Sequence, residues 1–238
     1  MALPARLQAG RFSALLVHGA GGGAWEWNRW RGVLEAHAMA STAIELQPAS
    51  RGLVATTLQD YAGQVRTALQ KLQRPRVLIG ASLGGLLAAL CASDADALVL
   101  VNPLPPAPWH RQLPARDWGE VMPWQRNARL ASTRAAMNDA DDASALFAFR
   151  RWRDESGEAM REAHDGIEVA RPECPALFVV SMQDEDVSSA IVLEWAQAWR
   201  ADRLETIATS HVGPLLGREA SRIAGQTVAW LNRLDAAG

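Results

Sequence analysis

The chain has 238 residues, of which 49% are apolar, and its formal net charge is −2. This length and composition suit one α/β domain with a sizeable hydrophobic core. The small net charge argues against nucleic-acid or membrane-surface partners held by electrostatics, and no apolar run reaches the roughly 18 residues that a membrane span needs.

The two cysteines, Cys91 and Cys174, have no metal-binding or redox spacing, so we expect free, buried thiols and not a disulfide bridge. We also expect neither a metal nor a cofactor. The first twelve residues lack the apolar segment of a secretory signal. We therefore expect a cytoplasmic protein, and the sequence leaves its oligomeric state open.

Apolar runs and helical apolar periodicity predict alternating strands and helices along most of the chain. The first twelve residues are predicted to form a short arm or an edge strand. The further predicted strands are Ser13–Val17, Thr42–Leu46, Val77–Ile79, Ala97–Val101, Ala176–Val180 and Leu204–Ile207. Helices are predicted at about 24–37, 58–72, 86–91, 188–200 and 214–234. This alternation predicts a mainly parallel sheet of about six or seven strands with helices on both faces.

Residues 104–173 interrupt the alternation, because prolines cluster at their start and two helical stretches follow, near 124–137 and 143–162, without a strand signal. We interpret this segment as a helical cap inserted into a single domain that covers residues 1–238. It contains Trp109, Trp118, Trp124 and Trp152, with Arg111, Arg116, Arg126 and Arg129. These side chains could line an apolar pocket with an arginine for a substrate carboxylate. For the arginines, solvation is the favoured alternative.

The run Gly80–Gly84 has the pattern G-x-S-x-G between a predicted strand and a predicted helix. Such a turn is sharp, and glycines, which lack Cβ, let the strand and the helix approach closely around the serine. The hydroxyl of Ser82 would then stand clear of the backbone, and the amide of Leu83 would point to where an oxyanion forms. In this context the pattern predicts a nucleophilic serine.

A serine nucleophile needs a base, and the base needs a carboxylate that orients it. Of the five histidines, only His211 both follows a predicted strand and comes after Ser82 in the chain. The loop after the preceding strand offers three acids: Asp184 is preferred, Asp186 is the alternative and Glu185 is expected to be solvated. Because the carboxyl ends of parallel strands meet at one edge of a sheet, we expect these side chains to converge there.

With these residues the chain resembles a member of the α/β-hydrolase superfamily. Three blocks carry the resemblance: Leu16–Ala20 with the glycines that follow, Gly80–Gly84, and the loops of Asp184 and His211. They are spread over nearly the whole chain outside the cap segment. The combination is specific for the superfamily but not for one activity.

The resemblance implies that Ser82 is the nucleophile, Asp184 the acid and His211 the base. It also implies that the backbone amides of Leu83 and Ala20 hold the oxyanion. We therefore expect a serine hydrolase that cleaves a small carboxylic ester or thioester through an acyl-enzyme intermediate, without a cofactor.

The first loop, His18–Ala20 followed by Gly23–Trp27, is similar to that of plant methylesterases and hydroxynitrile lyases. Hydroxynitrile lyase or C–C hydrolase chemistry is therefore an alternative on the same fold. A catalytically silent binding protein is another, although an intact set of serine, acid and base argues against it.

The glycine-rich loop also permits a dinucleotide-binding hypothesis. Gly19–Ala24 fits the pattern G-x-G-x-x-[GA], and Glu45 lies about where a ribose-binding acid would. Against this, the bulky Trp25 and Trp27 would crowd a pyrophosphate, and the hypothesis gives no role to Ser82.

Overall fold

A computed structural model of the chain describes residues 12–236. The arm or edge strand predicted for residues 1–12 lies, except for Phe12, outside the described residues. In the described part, strands and helices alternate along the chain before and after residues 104–173, and these residues lie over one edge of the sheet. No helix in residues 12–236 is both long enough and apolar enough to cross a membrane.

Six parallel strands form the main sheet, in the spatial order β2-β1-β3-β4-β7-β8. In chain order they are β1 (Ser13–Val17), β2 (Ser41–Ile44), β3 (Arg76–Ala81), β4 (Ala97–Val101), β7 (Ala176–Ser181) and β8 (Asp202–Thr206). Two very short strands, β5 (Val121–Met122) and β6 (Glu155–Ser156), form a separate antiparallel pair. The prediction of a mainly parallel sheet is thus confirmed, with six strands in the described residues.

Nine α-helices lie within residues 12–236. They are α1 (Asn28–Ala36), α2 (Leu58–Gln70), α3 (Leu83–Leu90), α4 (Leu130–Ala136), α5 (Asp142–Phe149), α6 (Gly157–Asp165), α7 (Ser189–Trp199), α8 (Gly213–Leu216) and α9 (Ala220–Ala236). Short 3₁₀ helices occur at Ala24–Trp27, Ala92–Asp94 and Trp109–Gln112.

The sheet is covered by helices on both faces, as predicted. Successive side chains of a strand point to opposite faces. In β1, Leu15 and Val17 pack in the cluster that holds the buried residues of α2, α3 and α7. Ala14 and Leu16 pack in the cluster that holds those of α1 and α9. Because β1, β3 and β4 lie between two such layers, they are continuous apolar runs in the sequence.

Several predicted boundaries were wrong, and the cause is tertiary contact. The prediction that β2 extends to Leu46 fails because the Leu46 amide donates to Nε2 of His18 at 3.0 Å. The single helix predicted at 143–162 is two helices, because β6 lies between them and Ser156 caps α6 through the amide of Ala159. The prediction of no strand in residues 104–173 also fails, since β5 and β6 are too short to leave a periodic signal.

The turn between β3 and α3 is the tightest contact in the sheet region. A Cβ at Gly80 would lie 2.0 Å from the carbonyl oxygen of Gly84. A Cβ at Gly84 would lie 2.4 Å from the carbonyl oxygens of both Val17 and His18. Backbone atoms cannot yield as a flexible side chain can, so β1, β3 and α3 meet this closely only with glycine at both positions.

Replacement of Gly80 by alanine should therefore destabilise the fold, by about 1–3 kcal/mol or more, because the new methyl group meets backbone. Gly63, inside α2 with nothing within 4 Å of its added Cβ, is the matched control. Gly63→Ala should stabilise by up to about 1 kcal/mol, since alanine is the better helix former. Urea unfolding followed by tryptophan fluorescence measures both, and equal midpoints would contradict this account.

Candidate active site

Ser82 occupies the turn between β3 and α3 in a backbone conformation that residues other than glycine rarely adopt. Its φ is 53° and its ψ is −122°. A non-glycine residue at positive φ is strained, and the strain is maintained only where the surroundings fix the backbone. Here the Ser82 amide donates to the carbonyl of Val101 at 3.1 Å, and the Ser82 carbonyl accepts from the amides of Gly85, Leu86 and Leu104. The sharp turn predicted from Gly80–Gly84 is present.

Ser82 lies in the wall of a cavity of about 590 Å³. His211 and the first-loop residues Gly19 and Ala20 line the same cavity. Most of the remaining wall is apolar and comes from residues between β4 and β7, including Leu104, Leu113, Trp118, Trp124, Trp152 and Met160. The structure therefore brings Ser82, His211 and Ala20 together from three distant parts of the chain.

His211 is paired with Asp184 directly behind the cavity. Nδ1 of His211 lies 2.6 Å from Oδ2 of Asp184. The other carboxylate oxygen, Oδ1, accepts from the amides of Asp186 and Val187 at 2.9 and 3.1 Å. The Asp184 side chain is 1% exposed, whereas that of Asp186 is 58% exposed and lies 3.9 Å from Arg116.

The electrostatics around His211 favour the imidazolium. Burial by itself lowers the pKa of His211, but the hydrogen bond and the charge of Asp184, with a smaller contribution from Asp186, raise it above its ordinary value. A carboxylate that holds the Nδ1 proton leaves Nε2 free to accept one. Atoms of His211, Asp184 and Asp186 also lie within 4.8 Å of one another, but Nδ1 of His211 is already paired with Oδ2 of Asp184.

Two backbone amides near Ser82 have no acceptor among the described residues. Leu83 is the first residue of α3, whose first amides have no partner within the helix. No described residue accepts a hydrogen bond from the amide of Leu83 or of Ala20. Because Gly19 packs against Ser82, with its added Cβ only 3.2 Å from the serine Cβ, the first loop and the turn lie side by side. Ala20 is among the residues that line the cavity, whereas Leu83 is not.

The sequence matches the Alpha/beta hydrolase family over residues 14–224. The chain belongs to this family. The resemblance inferred from the sequence motifs is therefore confirmed. A sequence search of curated proteins found no match.

Solved structures of the α/β-hydrolase fold superimpose on nearly the whole chain. A methylesterase, MES16 from Arabidopsis, is 14% identical, with a TM-score of 0.68 over 95% of this chain and 100% of that one. Tomato methylketone synthase I in complex with 2-tridecanone is 14% identical, with a TM-score of 0.74 over 94% and 98%. A pyrethroid hydrolase from Sphingobium faniae is 17% identical, with a TM-score of 0.68 over 93% and 97%. At these identities the similarity establishes the fold.

The first loop is held by two residues, Arg153 and Glu155, that the sequence analysis did not identify. The backbone amide of Arg153 donates to the carbonyl of Gly21 at 2.7 Å, and its side chain donates to the carbonyl of Gly22. Glu155 accepts from the amide of Gly21 at 3.0 Å and from the hydroxyl of Tyr61 at 2.6 Å. Both come from residues 104–173, which therefore fix the loop as well as cover the cavity. No motif in the sequence marks them.

His18 and Glu45, which the sequence also singled out, have structural contacts. His18 is fully buried, donates from Nδ1 to the carbonyl of Gly19 and accepts at Nε2 from Leu46. Its burial lowers its pKa to about 4, so the ring is neutral at physiological pH. Glu45, the candidate ribose-binding acid, is engaged by Arg153 at 2.8 Å and by the amide of Ala24 at 2.9 Å. Because these contacts engage the Glu45 carboxylate within the protein, they argue against the dinucleotide-binding hypothesis, which needs this acid for a ribose.

The loop that carries His211 is anchored by Asp139, which the sequence analysis did not select as a site residue. Its carboxylate accepts from the amides of Thr209 and Ser210 at 2.9 and 3.2 Å and from the Ser210 hydroxyl at 2.6 Å. A Cβ at Gly213 would lie 2.1 Å from the same carboxylate. The position of the imidazole therefore depends on an acid between α4 and α5.

Replacement of Asp139 by alanine should lower the free energy of unfolding by about 1–3 kcal/mol, since it leaves two backbone amides and a hydroxyl without their acceptor. Asp117, exposed and without a hydrogen bond to any described residue, is the matched control, and Asp117→Ala should stay within about 0.5 kcal/mol of the wild type. Chemical denaturation measures both. Equal losses in the two variants would mean that the carboxylate does not hold the loop.

Proposed function

We propose that the protein is a serine hydrolase that cleaves a small carboxylic ester or thioester through an acyl-enzyme intermediate. The observation that carries the proposal is the 2.6 Å pairing of His211 with Asp184 beside a cavity that also contains the strained Ser82. Membership of the α/β-hydrolase family supports hydrolytic chemistry in general.

In the proposed mechanism, Ser82 attacks the carbonyl carbon of the substrate. His211 accepts the serine proton at Nε2 and then delivers it to the leaving group. Asp184 keeps the other imidazole proton on Nδ1 and stabilises the imidazolium. The amides of Leu83 and Ala20 bind the tetrahedral oxyanion, and a water molecule activated by His211 then releases the acid.

The cavity favours an apolar acyl or aromatic group in the substrate. Trp118, Trp124 and Trp152 line it, so part of the tryptophan-rich region serves the pocket, while Trp109 stacks on Trp195 outside it. Arg116 and Arg129 also reach the cavity wall but are largely exposed. We therefore expect apolar esters to be better substrates than charged ones.

Hydroxynitrile lyase and C–C hydrolase chemistry can use the same groups on this fold. A panel of p-nitrophenyl esters, acyl thioesters and cyanohydrins, assayed side by side with purified protein, separates these activities. We expect turnover of esters or thioesters. Cleavage of cyanohydrins alone would replace the proposed reaction by a lyase reaction, and no turnover of any of them would favour a binding protein.

Ser82→Ala should abolish turnover of p-nitrophenyl esters, with a loss of at least ~10³-fold in kcat, because no nucleophile remains. Ser93→Ala is the control, since Ser93 is exposed and does not line the cavity, and it should leave kcat unchanged. Labelling by a fluorophosphonate, detected by mass spectrometry, should follow the same pattern. Undiminished turnover in Ser82→Ala would refute the mechanism.

The two candidate acids can be separated in the same assay. Asp184→Asn should lower kcat by about 10³-fold or more, because the imidazole loses the acceptor that orients it and that keeps its proton on Nδ1. Asp186→Asn should change kcat by less than about tenfold, since its side chain is mainly in solvent. The reverse order of the two losses would assign the role of the acid to Asp186.

A further inference from the structure

Glu26 is a buried carboxyl group in the wall of the cavity, and the proposed mechanism gives it no role. It lies in the 3₁₀ helix that follows the first loop, and only 3% of its surface is exposed. It lines the same cavity as Ser82 and His211. Among the described residues, no arginine or lysine pairs with it. Acidic side chains are rarely buried without such a partner.

The two oxygens of this carboxyl group have different surroundings. Oε2 accepts a hydrogen bond from the amide of Gly19 at 3.2 Å. Oε1 has no hydrogen-bond partner among the described residues. A Cβ at Gly22 would lie 2.2 Å from Oε1, so the first loop leaves space for the carboxyl group by having glycine there. The amide that holds Oε2 directly precedes that of Ala20, which places the carboxyl group beside the proposed oxyanion site.

The surroundings keep Glu26 neutral at physiological pH. Burial raises the pKa of Glu26 from 4.5 to about 8, and the nearby Glu45 raises it slightly. The Gly19 amide, His211 and Arg153 act in the opposite direction but do not outweigh burial. A neutral carboxyl group has one O–H donor, and Gly19 already occupies the oxygen that accepts. The O–H on Oε1 therefore has no acceptor among the described residues, and Glu26 is one of the residues that line the cavity.

We propose that Glu26 donates a hydrogen bond from its neutral carboxyl group to the carbonyl oxygen of the bound substrate, next to the amides of Ala20 and Leu83. This inference rests on the proposed hydrolase function and deepens it. The proton stays on Glu26 throughout, so the group stabilises developing negative charge without transferring a proton. Once ionised, it would instead place a negative charge beside the oxyanion, and activity should fall on the alkaline side.

The decisive variants are Glu26→Gln and Glu26→Met. Glutamine keeps both interactions, since its carbonyl can accept from Gly19 and its NH₂ group can donate to the substrate, but it does not titrate. Methionine keeps a similar volume and can do neither. The assay is kcat and KM for p-nitrophenyl butyrate from pH 6 to pH 10, with Ser82→Ala as the blank for spontaneous hydrolysis.

The wild type should lose activity with an apparent pKa near 8. In Glu26→Gln this alkaline loss should vanish, and kcat at pH 7 should stay within about fivefold of the wild type. In Glu26→Met, kcat should fall at least ~10-fold at every pH with a smaller change in KM, as expected for a donor that acts on the transition state.

Thermal unfolding gives a measurement that does not depend on activity. The folded protein holds the Glu26 proton up to a pH near 8, whereas the unfolded chain releases it near 4.5, so this group favours folding less and less as the pH rises between these values. The melting temperatures of Glu26→Gln and the wild type should therefore be similar at pH 5. At pH 9 the melting temperature of the variant should be higher by several degrees.

Two outcomes would overturn the proposal, and they differ. If turnover depends on Ser82 but Glu26→Gln keeps the alkaline loss, or Glu26→Met retains the wild-type kcat, the hydrolase function stands and Glu26 is not a donor. If neither the wild type nor Glu26→Gln shows turnover that depends on Ser82, the hydrolase function itself fails, and the role of Glu26 fails with it.

Discussion

The close approach of three backbone segments at Gly80 and Gly84 is the constraint on which the site depends. With no Cβ at either position, α3 begins directly against the ends of β1 and β3. Only then can Ser82 project from the turn with a positive φ, and only then does the first loop pass beside it. The strain at Ser82 is tolerated because hydrogen bonds and backbone contacts on both sides fix its position.

Residues 104–173 do more than cover the cavity. Arg153 and Glu155 bind the backbone of the first loop, and Asp139 binds the loop of His211. The shape of the pocket and the positions of its reactive groups are thereby linked. In this protein a substitution between β4 and β7 can move His211 or the first-loop amides as well as alter the pocket.

Two carboxyl groups near the imidazole have opposite environments. Asp184 accepts hydrogen bonds from two backbone amides and from the imidazole, so its buried charge is compensated. Glu26 accepts a hydrogen bond from one amide and forms no ion pair with any residue that the structure describes, so burial favours its neutral form. Two acids of the same chemistry can therefore serve as a fixed negative charge and as a hydrogen-bond donor within one site. The number of compensating donors around each acid determines the difference.

The sequence by itself determined the sheet, its parallel strands and the rim where Ser82, Asp184 and His211 would meet, because apolar runs, glycine spacing and strand ends are local signals. It preferred Asp184 but kept Asp186 as an alternative, because the two acids lie in the same short loop. The packing of that loop buries the side chain of Asp184 and exposes that of Asp186. The sequence could not indicate Glu26, Arg153, Glu155 or Asp139 as site residues. Their positions depend on contacts between distant segments, such as the contact between Gly21 and Glu155, which are 134 residues apart, and no local pattern encodes such contacts.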